Sequence, residues 1–311
     1  MSDLKVALLA GGTGGGKLAA GMQAEIGAGL SVIANTGDDI DVLGVHVSPD
    51  PDLVTYWLSG EIDEDRGWGI RGDGFVAFER LVQLGAPDWF ALTDRDLAAC
   101  LYRHHFLAEG GRLTAAQAQI ARSLGVRAAV LPMCEEPVRT RIRTAAGWRE
   151  VQEYLIVDRA KPEVEEVELR GIHSARPTRE VIDALASAEL IVIGPSNPVI
   201  SIGPIVAVPG IREGIIASTA PVVAVSPLVG GRVVKGPTEN FMAAVGRPCT
   251  AEGVASLYEG LLDGMVVDIG DPDPAPAQIQ TIAAPILMDD DKARRRVARV
   301  VLGFGASLAR G

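Results

Sequence analysis

Apolar and polar positions at the start of the chain follow the order strand, glycine-rich turn, helix, strand. The apolar run 6–10 is continuous, which is typical of a parallel strand buried on both faces. After the glycines of residues 11–16, Leu18, Met22 and Ile26 share one helix face. A second apolar run, 30–34, completes a βαβ unit. We therefore predict an α/β fold with a Rossmann-like, doubly wound, mainly parallel sheet.

The pattern becomes helical and interrupted in the next part of the chain. Phe75, Phe78 and Leu81 recur at the spacing of one helix face, and further apolar stretches follow at similar intervals. We predict a helical insertion over residues 66–130. It would be part of a single domain that covers residues 1–311.

Residues 138–172 change to a period of two, which predicts a small β-rich subregion. Residues 151–157 and 164–169 are also strand-like, because they are rich in β-branched side chains. Three arginines share one face of the first strand here, and we expect a solvated strand edge. They are Arg139, Arg141 and Arg143.

Strands and helices alternate again after residue 172. The last helix is expected to begin at three consecutive carboxylates, which favour a helix N-terminus. The predicted elements are a helix at 181–188, strands at 190–194 and 222–225, a helix at 252–262, a strand at 265–269 and the final helix from 289.

The chain has 311 residues and a net charge of −11. Such an acidic protein repels nucleic-acid phosphates and anionic lipid head groups, so neither is an expected partner. Its three cysteines are far apart and lack the spacing of a zinc site. Sparse cysteines and the absence of an export signal indicate a cytoplasmic protein.

Three polar clusters follow predicted strands. The first, Gly11 to Lys17, has the spacing G-x-x-x-x-G-K, but Leu18 stands where a P-loop has Ser or Thr. A glycine-rich turn between strand and helix directs backbone N–H groups at an anion, which indicates phosphate binding. The alternative is a tight turn that only packs the helix on the strand.

The second cluster is Asn35–Asp39, with Asp50 and Asp52 a short distance later. Paired carboxylates near a phosphate suit Mg²⁺, although Asn and Asp are also ordinary turn formers. The third is the run Gly194–Asn197, continued at Ser201. Its polar side chains and rigid prolines indicate a binding loop, and a plain connector is the alternative.

These clusters, with several others, resemble one family. The shared motifs are Gly11–Gly15, Asn35–Asp39, Ser48–Asp52, Arg66–Gly69, Asp88–Phe90, Asp94–Leu97, Gln152–Tyr154, Gly194–Pro198 and Ser201–Pro204. Each motif is weak alone, but their order is specific. From about residue 5 to residue 305 the chain is similar to the 2-phospho-L-lactate transferases of coenzyme F-420 synthesis.

The resemblance implies a reaction. The family transfers a phospho-acid (2-phospholactate, enolpyruvyl phosphate or phosphoglycerate) from a guanosine-diphosphate-activated donor to the ribityl hydroxyl of Fo. Fo is 7,8-didemethyl-8-hydroxy-5-deazariboflavin. GMP is released, Mg²⁺ is required, and a homodimer is expected.

The resemblance also implies roles for individual residues. Asp38 and Asp52 would be the catalytic metal pair. The phosphate- and nucleotide-binding residues would be Gly11, Gly12, Thr13, Gly14, Gly15, Lys17, Asn35, Gly194, Ser196, Asn197 and Ser201. The deazaflavin-binding residues would be Asp50, Asp52, Trp68, Trp89 and Arg95.

Two other classes of protein stay open. A related family, the gluconeogenesis-factor proteins, shares the fold and the glycine-rich turn, and looks like a group of nucleotide-sugar-binding regulators. A P-loop NTPase is the third hypothesis. Binding of Fo would separate the transferase from both, because neither alternative binds a deazaflavin.

Overall fold

The computed structural model of the chain describes residues 4–273 and 276–308. The strands are β1 (Val6–Ala10), β2 (Leu30–Ala34), β3 (Ile40–Val42), β4 (Val45–Val47), β5 (Ala129–Pro132), β6 (Arg139–Thr144), β7 (Gly147–Glu150), β8 (Glu166–Arg170), β9 (Leu190–Ile193), β10 (Val222–Val225), β11 (Leu228–Val229), β12 (Arg232–Val233), β13 (Gly264–Asp268) and β14 (Gln280–Ala284). The helices are α1 (Gly12–Ile26), α2 (Pro49–Ser59), α3 (Val76–Gln83), α4 (Asp94–Ala108), α5 (Leu113–Ser123), α6 (Val151–Ile156), α7 (Arg179–Ser187), α8 (Gly203–Ala207), α9 (Ile211–Ala217), α10 (Thr238–Ala244), α11 (Ala251–Leu257) and α12 (Asp291–Ser307).

Seven strands form one parallel sheet in the order β14-β13-β10-β9-β1-β2-β5. In its middle, Leu8 of β1 lies opposite Val32 of β2 and Val192 of β9. The chain adds β2 and β5 on one side of β1, and then returns to build the other side from β9 outward. The strand order therefore reverses beside β1, and open α/β sheets bind ligands at such a switch point. The predicted doubly wound fold is confirmed.

Alternate residues of the central strands pack against helices on opposite faces of the sheet. Leu8 belongs to a buried cluster with Leu18 of α1 and Val297 of α12. Leu9 belongs to a second cluster with Val181 of α7. Both faces are covered, and this explains why β1 is a continuous apolar run rather than an alternating one.

A long crossover connects β2 to β5. It contains the hairpin of β3 and β4 and four helices, of which α3 to α5 lie within residues 66–130. The sequence analysis did not anticipate α2, because its first residues are polar and resemble a turn. Pro49 at its first position and the left-handed Gly60 after its end (φ 74°) are ordinary helix boundary signals.

The β-rich subregion is a three-stranded antiparallel sheet in the order β7-β6-β8. The expected strand at 151–157 is wrong, since α6 occupies most of it. Glu150 and Glu153 form a capping box that starts this helix, and it overrides the β-branched residues at either end. The arginine face is not an edge, because β6 is the middle strand. Arg143, for example, pairs with Glu165 and Glu166 at 3.0 Å.

Three boundaries differ from expectation. α1 begins at Gly12, directly after β1, and α11 ends at Leu257 rather than near residue 262. α12 begins at Asp291, because the Asp290 side chain accepts a hydrogen bond from the Ala293 N–H at 2.6 Å and so acts as the N-cap.

No single helix among the described residues is long and apolar enough to cross a membrane. A bent pair, Pro198–Ala207 with Ile211–Ala217, meets the criterion by length and composition alone.

α1 and α12 approach each other closely at Gly21, and this contact gives a prediction about stability. A Cβ on Gly21 of α1 would lie 2.3 Å from the Arg294 carbonyl oxygen of α12, whereas a Cβ on Gly303 of α12 would meet nothing within 4 Å. We expect Gly21→Ala to lower the free energy of unfolding by about 1–3 kcal/mol through overpacking. Gly303→Ala should raise it by up to about 1 kcal/mol, because alanine favours the helix. Urea unfolding of both variants measures this. Equal changes in the free energy of unfolding would show that α1 and α12 can move apart at little cost.

Candidate active site at the switch point

Three loops meet where β1, β2 and β9 end. The Ser196 hydroxyl donates to the Gly11 carbonyl oxygen at 2.6 Å and accepts from the Gly11 N–H at 3.2 Å. Asn35 donates from Nδ2 to the Ile200 carbonyl oxygen at 3.2 Å. The three polar clusters of the sequence therefore come together at one edge of the sheet.

The start of α1 forms one side of this site. The Gly12 N–H donates to Asp50 Oδ1 at 2.7 Å. The N–H groups of Thr13 and Gly14 have no acceptor within the helix, because they precede its first complete turn. The helix dipole adds a partial positive charge at the same place. This end of the site is therefore suited to a phosphate.

Packing explains most of the glycines at the start of α1. A Cβ on Gly14 would lie 2.2 Å from the Pro195 carbonyl oxygen, and one on Gly15 would lie 2.6 Å from Ser196 Oγ. Gly12 differs: its φ is +58° and its Cβ position faces open space. Glycine is thus required here by the close approach of α1 to the loop after β9, as well as by any ligand.

Asn35 draws two carboxylates together. Its Nδ2 donates to Asp38 Oδ1 at 3.1 Å and to Asp50 Oδ2 at 2.9 Å. Burial raises the pKa of Asp50 to about 6, against the lowering effect of the bonds from Asn35 and Gly12. Burial, and then the charge of Asp50, raise the pKa of Asp38 well above its usual range. The hydrogen bonds that these two carboxylates accept come from the neutral Asn35 amide and the Gly12 N–H.

Asp52 faces a different neighbour. Arg103 of α4, completely buried, donates from Nη2 to Asp52 Oδ1 and, at 3.1 Å, to Gln117 Oε1 of α5. Burial raises the pKa of Asp52, although Arg103 opposes the shift. Asp52 Oδ2 is buried and has no hydrogen-bond partner among the described residues. A buried acceptor in this state is costly until a ligand satisfies it.

Both carboxylate oxygens of Asp39 contact other side chains of the protein. Its Oδ1 accepts from the Ser48 hydroxyl at 2.8 Å, and its Oδ2 lies 2.9 Å from His46 Nε2. The sequence analysis did not single out His46, and the structure places it against the Asp39 carboxylate. The position of His46 in the β3–β4 hairpin gave no signal in the sequence.

Asp96, Arg103 and Tyr56 were missed as site residues, although the sequence carried a signal for the two on α4. Asp96, Cys100 and Arg103 follow the spacing i, i+4, i+7, and all three are buried on one face of α4. Tyr56 of α2 donates from its hydroxyl to Asp96 Oδ1 at 2.8 Å. Burial, and then the charge of Asp52, raise the pKa of Asp96 to about 7. A charged residue on the apolar side of a helix indicates a buried polar network.

A cavity of about 730 Å³ is lined by the start of α1 and by Asp38, Asp50, Asp52 and Asp96. It runs from the start of α1, over the carboxylates of α2, to a wall made by the segment 89–92. Most of the predicted site residues line it. They are Gly11, Gly12, Thr13, Gly14, Lys17, Asp38, Asp50, Asp52, Trp68, Trp89, Ser196, Asn197 and Ser201.

Four predicted site residues do not line the cavity. Gly15 and Asn35 lie beneath it and hold the loops together, and the Gly194 N–H bonds to the strand β1. Arg95 lies beside Asp73 and Glu61, with nitrogen–oxygen distances of 3.4 and 3.6 Å. The Asn197 side chain lines the cavity and also caps the π-helical turn that follows it.

The wall of the cavity beyond the carboxylates is aromatic. Trp89 lies edge-on to Phe90, with ring centroids 5.4 Å apart, and Trp68 lies edge-on to Phe75 at 6.1 Å. Both tryptophans retain exposed surface. Such a wall suits a flat, largely apolar ring.

Two lysines line the cavity, and the Lys235 ammonium lies beside the glycine that precedes Trp68. Lys17 is 5.4 Å from the centre of the Trp57 ring, and burial followed by the charge of Arg294 lowers its pKa. Lys235, which the sequence analysis did not single out, lies close enough for its charge to lower the pKa of Lys17 further. Neither lysine has a carboxylate within 4.0 Å among the described residues, which leaves both charges to an anion.

A divalent cation fits the donor set at the carboxylates. Asp38, Asp50 and Asp52 all line the cavity, and carboxylate oxygens are preferred ligands of Mg²⁺. The unpartnered Oδ2 of Asp52 is an acceptor that such a cation would satisfy. The Asp38–Asp52 metal pair stays a prediction. The protein's own contacts bring Asp38 to Asp50, and Asp52 to Arg103.

Comparison with known proteins gives a family. The family model described as 2-phospho-L-lactate transferase CofD matches residues 6–303. A phosphoenolpyruvate transferase of Streptomyces griseus is 41% identical, over 96% of this chain and 98% of that protein. A 2-phospho-L-lactate transferase of Methanopyrus kandleri is 38% identical, over 96% and 97% respectively.

A solved structure shows the same fold. A UPF0052-family protein of Bacillus halodurans aligns with a TM-score of 0.64 at 19% identity. The alignment covers 97% of this chain and 99% of the other.

The raised pKa of Asp50 predicts a pH dependence of stability. The folded chain binds this proton up to about pH 6, whereas the ordinary value is 3.8. The contribution of Asp50 to stability is therefore complete below pH 4 and is lost as the pH rises through 6. In metal-free buffer, the free energy of unfolding of the parent should fall over this window, relative to Asp50→Asn, by about 3 kcal/mol.

Urea unfolding at several pH values tests this expectation. Asp88→Asn is the matched control, because Asp88 is exposed, and its profile should run parallel to that of the parent. A parallel profile for Asp50→Asn as well would mean that Asp50 titrates normally.

Proposed function

The chain belongs to the 2-phospho-L-lactate transferase CofD family of phospho-acid transferases, and on that premise we propose its full reaction. It transfers 2-phospholactate, enolpyruvyl phosphate or phosphoglycerate from a guanosine-diphosphate-activated donor to the terminal ribityl hydroxyl of Fo, and GMP leaves. One observation carries this proposal. A single cavity joins a phosphate-binding helix start to an aromatic wall, with the carboxylates of α2 between them.

The donor binds at the start of α1. The N–H groups of Thr13 and Gly14 and the ammonium of Lys17 receive the phosphates, while Ser196 and Asn197 face the nucleotide. Leu18, where a P-loop has a hydroxyl, is completely buried in the core. This chain therefore lacks the magnesium contact of a P-loop NTPase, which favours the transferase.

The carboxylates of α2 and of the loop after β2 lie at the reacting phosphate. Asp38 and Asp52 would hold Mg²⁺, with Asp50 beside them, and the bound ion would offset the charge of the diphosphate. Asn35 and the Gly12 N–H keep Asp50 in place. Arg103 holds Asp52 through Oδ1 and leaves Oδ2 without a hydrogen-bond partner among the described residues.

The acceptor binds along the aromatic wall. Trp68 and Trp89 would border the deazaflavin ring, and Arg95 would lie near its edge. In the reaction, the ribityl oxygen attacks the phosphorus that bears the acid. The bond between that phosphorus and the oxygen of GMP breaks, and the hydroxyl proton is released. Catalysis by the protein consists mainly of positioning and charge neutralisation.

The direct test is product analysis. Purified protein is incubated with Mg²⁺, Fo and each of the three activated acids in turn, and products are identified by mass. We expect GMP and an Fo phosphodiester with one of the acids. Asp38→Ala and Asp52→Ala should each lose about 10³-fold or more in turnover, because a charge-neutralising term of several kcal/mol is removed.

Asp50→Ala in the same assay shows whether Asp50 or Asp52 is the second Mg²⁺ ligand beside Asp38. Parental circular dichroism spectra and cooperative unfolding transitions establish that the variants fold. If none of the three donors gives a product, or if both Asp38→Ala and Asp52→Ala keep the parental rate at saturating Mg²⁺, the proposed reaction is wrong.

The aromatic wall gives a separate prediction. Trp89→Ala should raise the KM for Fo by about 10- to 100-fold, since stacking and burial of a ring contribute roughly 1–3 kcal/mol. Affinity for GDP should hardly change. Fluorescence titration with Fo and calorimetry with GDP measure the two.

Trp148→Ala is the matched control. This tryptophan is also partly exposed but lies on β7 beneath Arg141, outside the cavity lining. It should affect neither ligand. Loss of GDP binding with Fo binding intact in Trp89→Ala would mean that the two ends of the cavity are reversed.

A further inference from the structure

One face of α4 is polar and buried. Asp96, Cys100 and Arg103 lie along it, and Asp52 and Tyr56, four residues apart on α2, face them. Ligand atoms of Asp52, Asp96 and Cys100 lie within 4.8 Å of one another. The two helices therefore share a buried polar seam that opens into the cavity at Asp96, which lines it.

The hydrogen bonds of this seam are unequal. Arg103 bonds to Asp52 and to Gln117, whereas the bond that Asp96 accepts comes from the neutral Tyr56 hydroxyl, to Oδ1. No described residue donates to Asp96 Oδ2. Asp96 is only 8% exposed, and that exposure lies in the cavity. Because Asp96 lines the cavity, its second oxygen can accept a hydrogen bond from a bound ligand.

The position of Asp96 identifies the part of a ligand that reaches it. Asp96 lies next to Asp52, and Asp50 on the same helix bonds to Gly12 at the start of α1. The segment 89–92, which leads into α4, lines the same cavity. A flat ring on the wall would place a flexible chain over Asp96, with the end of that chain directed to the phosphates. A chain of hydroxyl groups supplies O–H donors along this path, and a carboxylate is a strong acceptor for them.

We propose that Asp96 is a specificity-determining residue that binds the hydroxyl-bearing chain of the acceptor through Oδ2. Tyr56 is the positioning residue that fixes the Asp96 carboxylate through Oδ1. Arg103 holds the neighbouring Asp52, so that Asp52 does not compete for the same hydroxyl groups. This inference rests on the proposed function, because it assumes that a polyol substrate occupies the cavity.

The test combines a variant with a truncated ligand. Asp96→Asn keeps the size of the side chain but places an N–H donor in the seam. We expect the Kd for Fo to rise by about 10-fold or more and the Kd for GDP to stay within twofold. A deazaflavin whose ring carries a methyl group instead of the ribityl chain should bind the parent and the variant equally. Fluorescence titration gives the deazaflavin values, and calorimetry gives those for GDP.

Two further variants complete the experiment. Asp88→Asn makes the same charge change at an exposed position beside Trp89. It should leave the Kd values for Fo, the truncated deazaflavin and GDP unchanged. Tyr56→Phe removes one bond to Asp96 and should raise the Kd for Fo by about 3- to 10-fold, again without effect on the truncated ring. It serves as the second arm if Asp96→Asn fails to fold.

Three outcomes would overturn the inference. Equal weakening of Fo and the truncated ring would make Asp96 a structural support of the wall. Loss of GDP instead of Fo would mean that the carboxylate binds the N–H groups of guanine. Unchanged affinity for Fo in both Asp96→Asn and Tyr56→Phe would exclude any contact. If the parent itself does not bind Fo, the proposed function fails, and this result is distinct from a variant effect.

Discussion

The crowding of negative charge around the first turn of α2 is the constraint on which this structure depends. Asp38, Asp50, Asp52 and Asp96 are all buried and all line one cavity. Burying a carboxylate costs several kcal/mol unless it is paired or hydrogen-bonded. The chain supplies one fully buried guanidinium, a few neutral donors and a helix N-terminus, which leaves the charge only partly compensated. The remaining imbalance makes the site receptive to a cation and to hydroxyl donors.

The two ends of the cavity are formed by different parts of the fold. The switch point of the sheet, with the start of α1 and the loop after β9, provides the anion-binding end. The long crossover between β2 and β5 provides the aromatic wall and the polar seam of α4. α2 belongs to that crossover but bonds to Gly12 of α1 through Asp50. It is therefore the element that connects the anion-binding end to the aromatic wall.

Much of the fold could be predicted from the sequence, because buried parallel strands have a simple signature. β1, β2, β9 and β10 are continuous apolar runs, and the polar clusters that follow three of them mark the edge of the sheet. Short elements with mixed signals were harder. α6 was mistaken for a strand, since its capping box is a two-residue signal within a β-branched stretch. α2 was missed, since its carboxylates resembled those of a turn.

The candidate site was predicted in its parts but not in its pairings. Periodicity cannot show that Asn35 holds Asp38 against Asp50, because the two carboxylates come from different loops. Nor can it show which of several buried carboxylates receives Arg103, 51 residues away from Asp52. Such pairings depend on the packing of α4 against α2, which is a tertiary property. Helical spacing on α4 alone would have indicated that Arg103 faces inward.

The position of β1 in the sheet has a consequence for biosynthesis. β1 is synthesised long before β9, which is one of its two neighbours in the sheet, and Gly11 is bonded to Ser196 across 185 residues. The anion-binding end therefore cannot be completed until almost two-thirds of the chain has been translated. A nascent chain that stops earlier exposes one edge of its most apolar strand. The order of synthesis thus delays the anion-binding end of the site until the loop after β9 is made, and the unpaired edge of β1 is open to aggregation until then.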